Sequence, residues 1–138
     1  MSDATERLVD ACREFGGESL RDVWLFDQWT YERLYVREDV AARTDDLDPE
    51  GFIDNERYGY VTRDTYETLY HAEFTYTVRG FSEFEQFRTF LEDADHRIGL
   101  YAGFDRGDGG RDFSRLHGPV QEATSEFPIE EFTPGGME

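Results

Sequence analysis

The sequence contains no lysine. Its 14 basic side chains are all arginines, set against 32 aspartates and glutamates, and the net charge is −18. A chain with this balance has no basic patch with which to neutralise phosphates, so we expect no direct binding to nucleic acid or to an anionic membrane. The same acidity leaves open a DNA-mimic role, in which rows of carboxylates would occupy a basic DNA-binding protein.

Cysteine is nearly absent as well. The single cysteine, Cys12, excludes an internal disulfide and a cysteine-based zinc site, and its place on a helical apolar face indicates a small core residue. No apolar run approaches the length of a membrane span, and the first residues lack the basic and apolar regions of a signal peptide. We therefore expect a cytoplasmic location.

Catalytic and cofactor motifs are also missing. The sequence has no P-loop, no G-x-G-x-x-G, no G-x-S-x-G and no H-E-x-x-H, and its three histidines lack the spacing of a helical metal pair. The loop from Asp105 to Asp112 differs from an EF-hand because glycines occupy its third and fifth positions. We expect no catalytic residues, no metal and no cofactor, and the sequence favours a protein without enzymatic activity.

The charge density has a direct physical consequence. A folded chain of 16.1 kDa exposes roughly 7,400 Å², so self-repulsion works against the compact state in ordinary buffer. At 1 M salt the Debye length is about 3 Å and that repulsion is largely screened. The lysine-free acidic composition resembles that of cytoplasmic proteins of salt-accumulating haloarchaea, although a GC-rich genome would also favour arginine.

Apolar periodicity predicts one α+β domain over residues 1–124, followed by an acidic aromatic tail over residues 125–138. By periodicity alone, residues 84–92 fit a helix slightly better than a strand. The other predicted elements are a helix ending at Gly16-Gly17, a hairpin of strands 20–26 and 31–37, a helical turn over 38–43, a helix from Pro49 ending at Gly59, a strand over 72–81, and a last helix over 113–123 interrupted at Gly118-Pro119.

Four segments carry a resemblance to a known family. They are LRDVWLF, YERLYVRED, FIDNERYGY and EFTYTVRGF. Over roughly residues 5–105 the chain resembles a family of small haloarchaeal proteins of unknown function. The resemblance implies a five-stranded antiparallel sheet packed with helices in the order α-β-β-α-β-β-β-α, as in the profilin-like roadblock and longin domains. It also implies that residues 84–92 form a strand, and we adopt that assignment.

Two groups of aromatic residues are candidates for protein contacts. Trp29 and Tyr31 lie at the predicted hairpin turn close to Arg33, where they could form an exposed patch. In the tail, Phe127, Ile129 and Phe132 could dock into a partner, fold back onto their own domain, or belong to a disordered segment.

The sequence thus favours a non-enzymatic protein-interaction or regulatory domain that self-associates or binds a protein partner. The alternative is a small-ligand sensor or a small enzyme with a pocket between sheet and helices. For that alternative the first candidate residues are Tyr35, His71, Tyr76 and Arg79.

Overall fold

A computed structural model describes residues 2–44, 49–107 and 109–134. The chain forms a five-stranded antiparallel sheet in the order β2-β1-β5-β4-β3, with helices on both faces, which confirms the predicted fold class. The helices are α1 (Asp3–Gly16), α2 (Glu38–Thr44), α3 (Pro49–Tyr70) and α4 (Ser114–Ser125). The strands are β1 (Leu20–Phe26), β2 (Tyr31–Val36), β3 (Tyr76–Gly80), β4 (Phe84–Glu92) and β5 (Arg97–Asp105).

One face of the sheet is covered by α1 and α4. The side chain of Ser2 caps α1 by accepting a hydrogen bond from the Thr5 amide at 3.2 Å, and Gly17 ends the helix with a positive φ of 59°. Cys12 is fully buried on the inner side of α1, as expected, and burial raises the pKa of its thiol to about 12. The strand residues of this core are Leu20, Val23, Leu25, Phe87, Ile98, Leu100, Ala102 and Phe104.

The alternate residues of the same strands point to α3 on the opposite face. Trp24 and Phe26 of β1 and Tyr101 of β5 pack there with Ile53 and Tyr60 of α3, in a second, mainly aromatic cluster. Each face of the sheet is therefore buried by its own helical layer.

The helix α3 continues past Gly59 to Tyr70, so the predicted end at that glycine is wrong. A Cβ atom on Gly59 would lie 2.6 Å from the guanidinium carbon of Arg88 on β4. The glycine allows a strand side chain to approach the helix backbone closely. On both sides of it the buried positions Glu56, Tyr60 and Arg63 keep helical spacing.

The helix α4 is continuous, so the predicted interruption at Gly118-Pro119 is also wrong. Both residues are exposed, whereas Leu116, Val120 and Ala123 are fully buried against the core. Burial of that apolar side compensates for the backbone hydrogen bond that Pro119 cannot donate. The segment 84–92 is a strand, as the family resemblance implied and periodicity alone did not.

The described part of the tail packs on the domain. Phe132, in a short 3-10 helix over Ile129–Phe132, is fully buried, and Phe127 and Ile129 pack partly buried against the same core. The predicted boundary between domain and tail at residue 124 stays a prediction. Residues 135–138 lie outside the described residues. Among the described residues, no helix combines the length and the apolar character needed to cross a membrane.

Candidate functional site

The outer face of α3, opposite the side packed on the sheet, is apolar and exposed. Tyr58, Val61 and Leu69 are 70%, 66% and 60% exposed, and their spacing places them on one side of the helix. We define the α3 outer face as Tyr58, Val61, Thr62, Thr65, Thr68 and Leu69, none of which carries a charge.

The threonines make this face less polar than their hydroxyl groups suggest. The hydroxyls of Thr65 and Thr68 donate to the carbonyl groups of Val61 and Asp64, four residues earlier, each at 3.0 Å, and that of Thr62 donates to Tyr58 at 3.4 Å. Because these donors are satisfied inside the helix, they need no outside acceptor. The face can therefore be covered by another molecule at little cost in lost hydrogen bonds.

Two charged residues in the second half of the same helix, Arg63 and Glu67, point away from this face, while the exposed Asp54 lies one turn before Tyr58 and pairs with Arg57 at 2.6 Å. Arg63 has a side chain that is 5% exposed and contacts Asp64 and Glu92, each at 2.7 Å. Glu67 accepts a hydrogen bond from the Phe74 amide at 2.9 Å. From Tyr58 to Leu69 the helix thus separates its charged residues from its outer face.

A buried ion cluster fixes α3 to the sheet. Glu56, only 3% exposed, accepts from Arg79 of β3 at 2.6 Å and from Arg88 of β4 at 3.2 Å. Arg88 also donates to Thr77 at 3.3 Å, and burial lowers the pKa of its guanidinium. Since the cluster joins α3 to two strands below Gly59, the outer face is held in a fixed orientation.

The predicted site residues of the first hairpin have separate environments. Trp29 is 82% exposed at the tip of the β1–β2 turn. Tyr31 and Arg33 are half-buried on β2, where the Tyr31 ring packs 6.0 Å from that of Trp24. The interaction role of these three residues stays a prediction, and Trp29 is the one that the structure leaves accessible.

The turn that carries Trp29 is rigidly built. The Asp27 carboxylate accepts from the amides of Trp29 and Thr30 at 2.8 and 2.7 Å. Arg57 of α3 donates to the Asp27 carbonyl at 2.8 Å. The backbone of the turn is therefore held in place while the indole ring stays in solvent.

An open cleft of about 710 Å³ lies beside Trp29. It is bounded by the β1–β2 turn, the β4–β5 turn and the middle of α3. Arg97, one of its lining residues, contacts Asp64 at 2.9 Å and Glu92 at 3.3 Å. The ionisable residues of the lining are Asp27, Arg63, Asp64, Glu67, Glu92, Asp93, Asp95, His96 and Arg97.

Three residues near the cleft have the chemistry of metal ligands. Asp93, His96 and Glu130 place possible ligand atoms within 4.8 Å of one another. His96 Nδ1 lies 3.0 Å from the Asp93 carboxylate, which raises the pKa of the imidazole. Hydrogen bonds of the β4–β5 turn hold Asp93 and His96 together, while Glu130 comes from the 3-10 helix over Ile129–Phe132.

The residues proposed for a ligand pocket do not converge. Tyr35 and Tyr76 lie on the two edge strands, Arg79 pairs with Glu56, and His71 is exposed just after α3. A cavity does lie between the sheet and α2 and α3, but its volume is about 220 Å³, whereas ligand pockets usually measure about 300–1,000 Å³. Its polar lining residues are Arg21, Asp22, Gln86 and Tyr101, of which Gln86 and Tyr101 are hydrogen-bonded to each other.

A family model described as a domain of unknown function, DUF7522, matches residues 6–125. The chain belongs to this family. No curated protein matches the DUF7522 chain.

Solved structures reveal a likeness in fold. Myxococcus xanthus MglB superimposes with a TM-score of 0.55 at 12% identity, over 91% of this chain and 88% of that one. A structure described as MglB with tetrameric arrangement gives 0.52 at 16% identity, over the same shares of the two chains. At these identities the likeness concerns the fold alone: the DUF7522 chain has an MglB-like, roadblock/longin-type architecture.

The α3 outer face was missed by sequence reasoning, because residues 60–71 are rich in threonine and tyrosine, and neither type favours a helix. A signal was nevertheless present. Tyr58, Val61, Thr65 and Leu69 follow one another at steps of three and four in a chain that is 33% charged. An uncharged helical stripe is conspicuous against that background.

Proposed function

We propose that this DUF7522 domain is a non-enzymatic interaction domain with a regulatory role, and that it self-associates through the α3 outer face. The observation that carries the proposal is an exposed helix face without charge on a chain of net charge −18. Scattered exposed apolar residues are normal, but an aligned group of them marks a contact surface.

Charge explains why the contact would form there. Two copies that each carry −18 repel one another, and a carboxylate buried at their contact would lose hydration without gaining a partner. The α3 outer face avoids both costs locally, because its members are apolar or have satisfied hydroxyls. Tyr66 and Tyr70, which are 43% and 69% exposed, extend the apolar surface towards the end of the helix.

The fold likeness adds support of a general kind. One of the similar structures is described as MglB with a tetrameric arrangement, so this architecture is compatible with assembly. A standard interface buries about 800 Å² on each partner, which is more than one helix face supplies. We expect the contact to include the edge strand β3 as well, which Arg79 joins to α3.

The test is the molar mass of the protein in solution. We expect the unmodified chain to exceed the 16.1 kDa of one copy by size-exclusion chromatography with light scattering in 2–3 M KCl. The double variant Val61→Glu/Leu69→Glu should elute as a single copy, because it places carboxylates at the centre of the contact.

A matched control adds the same charge elsewhere. Ala42→Glu/Gln121→Glu, at exposed positions of α2 and α4, should keep the mass of the unmodified protein. A single-copy mass for the unmodified chain would overturn the proposal, as would an unchanged mass for the folded Val61→Glu/Leu69→Glu variant.

The proposal includes a setting of high salt. We infer a haloarchaeal, cytoplasmic protein from the absence of lysine and the excess of 18 negative charges, which only concentrated salt screens well. A protein partner fits that setting better than a nucleic acid, since the chain offers no basic surface.

A further inference from the structure

The cleft beside Trp29 has a specific pattern of charge. Its two arginines, Arg63 and Arg97, are held by Asp64 and Glu92, so these four residues balance one another. Four carboxylates of the lining remain outside that balance, against one histidine, His96. They are Asp27, Glu67, Asp93 and Asp95.

These four carboxylates differ in what they already hold. Asp27 and Asp93 accept from backbone amides of their own turns, and Glu67 accepts from the Phe74 amide. Within the described residues, the exposed Asp95 carboxylate accepts no hydrogen bond. Asp95 is therefore the group in the cleft best able to take a new cationic partner.

Trp29 adds a stacking surface at the mouth of the cleft. Elsewhere in the described chain, arginine guanidinium groups repeatedly lie over aromatic rings, such as Arg97 over Tyr60 at 4.9 Å. Among the described residues, no guanidinium lies over Trp29 and no aromatic ring stacks on it. Tryptophan is the strongest cation–π acceptor of the aromatic side chains.

We propose that the Trp29 cleft binds an arginine-bearing segment of a different protein, with one guanidinium stacked on the Trp29 ring and paired with Asp95. The proposal is independent of self-association, because the α3 outer face shares no residue with the cleft lining. Arginine is the expected cation because its planar guanidinium can stack on an indole and form a forked pair with a carboxylate, whereas a lysine ammonium is a strongly hydrated point charge.

The rigidity of the site favours binding. The Trp29 turn is fixed by Asp27 and Arg57, and the opposite turn by the bonds from the amides of Asp95 and His96 to Asp93, each at 2.8 Å. Little backbone entropy is then lost when a ligand is held between the two turns.

The experiment uses nuclear magnetic resonance of the labelled full chain in 0.5 M KCl. The probe is a blocked pentapeptide, Gly-Arg-Gly-Arg-Gly. The chain has two indole N–H groups, and that of Trp24, which is 3% exposed and bonded to Asp22 at 3.0 Å, serves as an internal reference. We expect the Trp29 indole signal and the amides of residues 93–96 to shift saturably while the Trp24 signal stays in place.

Two charge reversals separate a specific site from general attraction of cations. Asp95→Arg should raise the Kd at least about 5-fold, which corresponds to about 1 kcal/mol. Glu14→Arg makes the same change in charge on α1, whose end packs at the opposite end of the sheet, and should change the Kd by less than about 2-fold. Equal weakening by both reversals would mean diffuse attraction and would overturn the proposal.

Further variants test the stack and the cation. Trp29→Leu, followed through the amides of residues 93–96, should raise the Kd about 3-fold or more. A peptide with citrulline, the uncharged isostere, in place of arginine should not bind. An unchanged Kd for Trp29→Leu, or equal binding of the citrulline peptide, would sink the idea.

The same titration distinguishes this site from the self-association surface. The folded Val61→Glu/Leu69→Glu variant should bind the peptide as the unmodified chain does, whatever its molar mass. If the Trp29→Leu variant instead has a lower molar mass in solution than the unmodified protein, a second copy occupies the cleft and the proposal of a different partner is wrong.

Discussion

At the scale of single residues, Glu56 is the buried charge that joins α3 to two strands of the sheet. It lies on the side of α3 that faces the sheet, where it pairs with Arg79 and Arg88, and its side chain is 4% exposed. Removing one member of such a cluster leaves the others charged without compensation, and breaking a buried pair in this way costs about 3–5 kcal/mol.

We therefore predict that Glu56→Gln lowers the free energy of unfolding by about 3–5 kcal/mol. Urea titration followed by circular dichroism in 2 M KCl measures the change. Glu50→Gln is the matched control, because its pair with Arg57 has a carboxylate that is 44% exposed, and the expected loss is under about 1 kcal/mol. Equal losses in the two variants would show that the cluster is not a principal anchor of α3.

Among the elements, the tail is the one whose structure the local sequence pattern predicted least well. Three outcomes stayed open for Phe127, Ile129 and Phe132: docking into a partner, folding back, or disorder. In the structure all three pack on the core, and Phe132 is fully buried. A docking role for Phe132 would require it to leave that position, so we propose that the folding unit extends to residue 132.

Phe132→Ala tests that extension. We predict a loss of about 3–5 kcal/mol in the free energy of unfolding, because the substitution removes a buried ring and leaves a cavity. Phe81→Ala removes the same ring from a position that is 45% exposed and should cost less than about 1 kcal/mol. Thermal and urea unfolding measure both, and a cost below about 1 kcal/mol for Phe132→Ala would mean that the domain folds without its tail.

Over the whole molecule, we expect repulsion between like charges to control the response to salt. Since the net charge is −18, screening should favour the compact state. We predict that Tm rises between 0.1 and 2 M KCl, measured by circular dichroism or calorimetry.

A variant with fewer carboxylates checks the cause. Glu14→Gln/Glu122→Gln/Glu131→Gln changes three exposed positions and should give a shallower rise of Tm with KCl. A Tm that stays flat or falls with KCl in the unmodified protein would contradict the proposed adaptation to salt.

Much of the fold could be predicted because each clue acts locally. Alternation marked the hairpin β1–β2 and helical spacing marked α1, whereas β4 was assigned as a strand only through the family resemblance. The errors at Gly59 and Pro119 share one physical reason. Each residue weakens a helix on its own, but Arg88 and the buried side chains of α4 override that tendency through contacts with distant parts of the chain.

The candidate sites were predictable only in part. Trp29 could be proposed because an aromatic residue in a short turn has little of its own domain to pack against. The α3 outer face left a helical stripe in the sequence, but its exposure depends on which side of α3 meets the sheet. The cleft left no such signal, because it forms where two turns about 65 residues apart meet at one end of the sheet.

The sequence by itself determined the electrostatic character of this protein, which is lysine-free and acidic, because charge is a sum over residues and needs no fold. Only the tertiary structure decided where that charge is absent. Packing turned Glu56 and Arg63 inwards and left Tyr58, Val61 and Leu69 outside, because a helix has one side to bury and the ion cluster fixed which side that is.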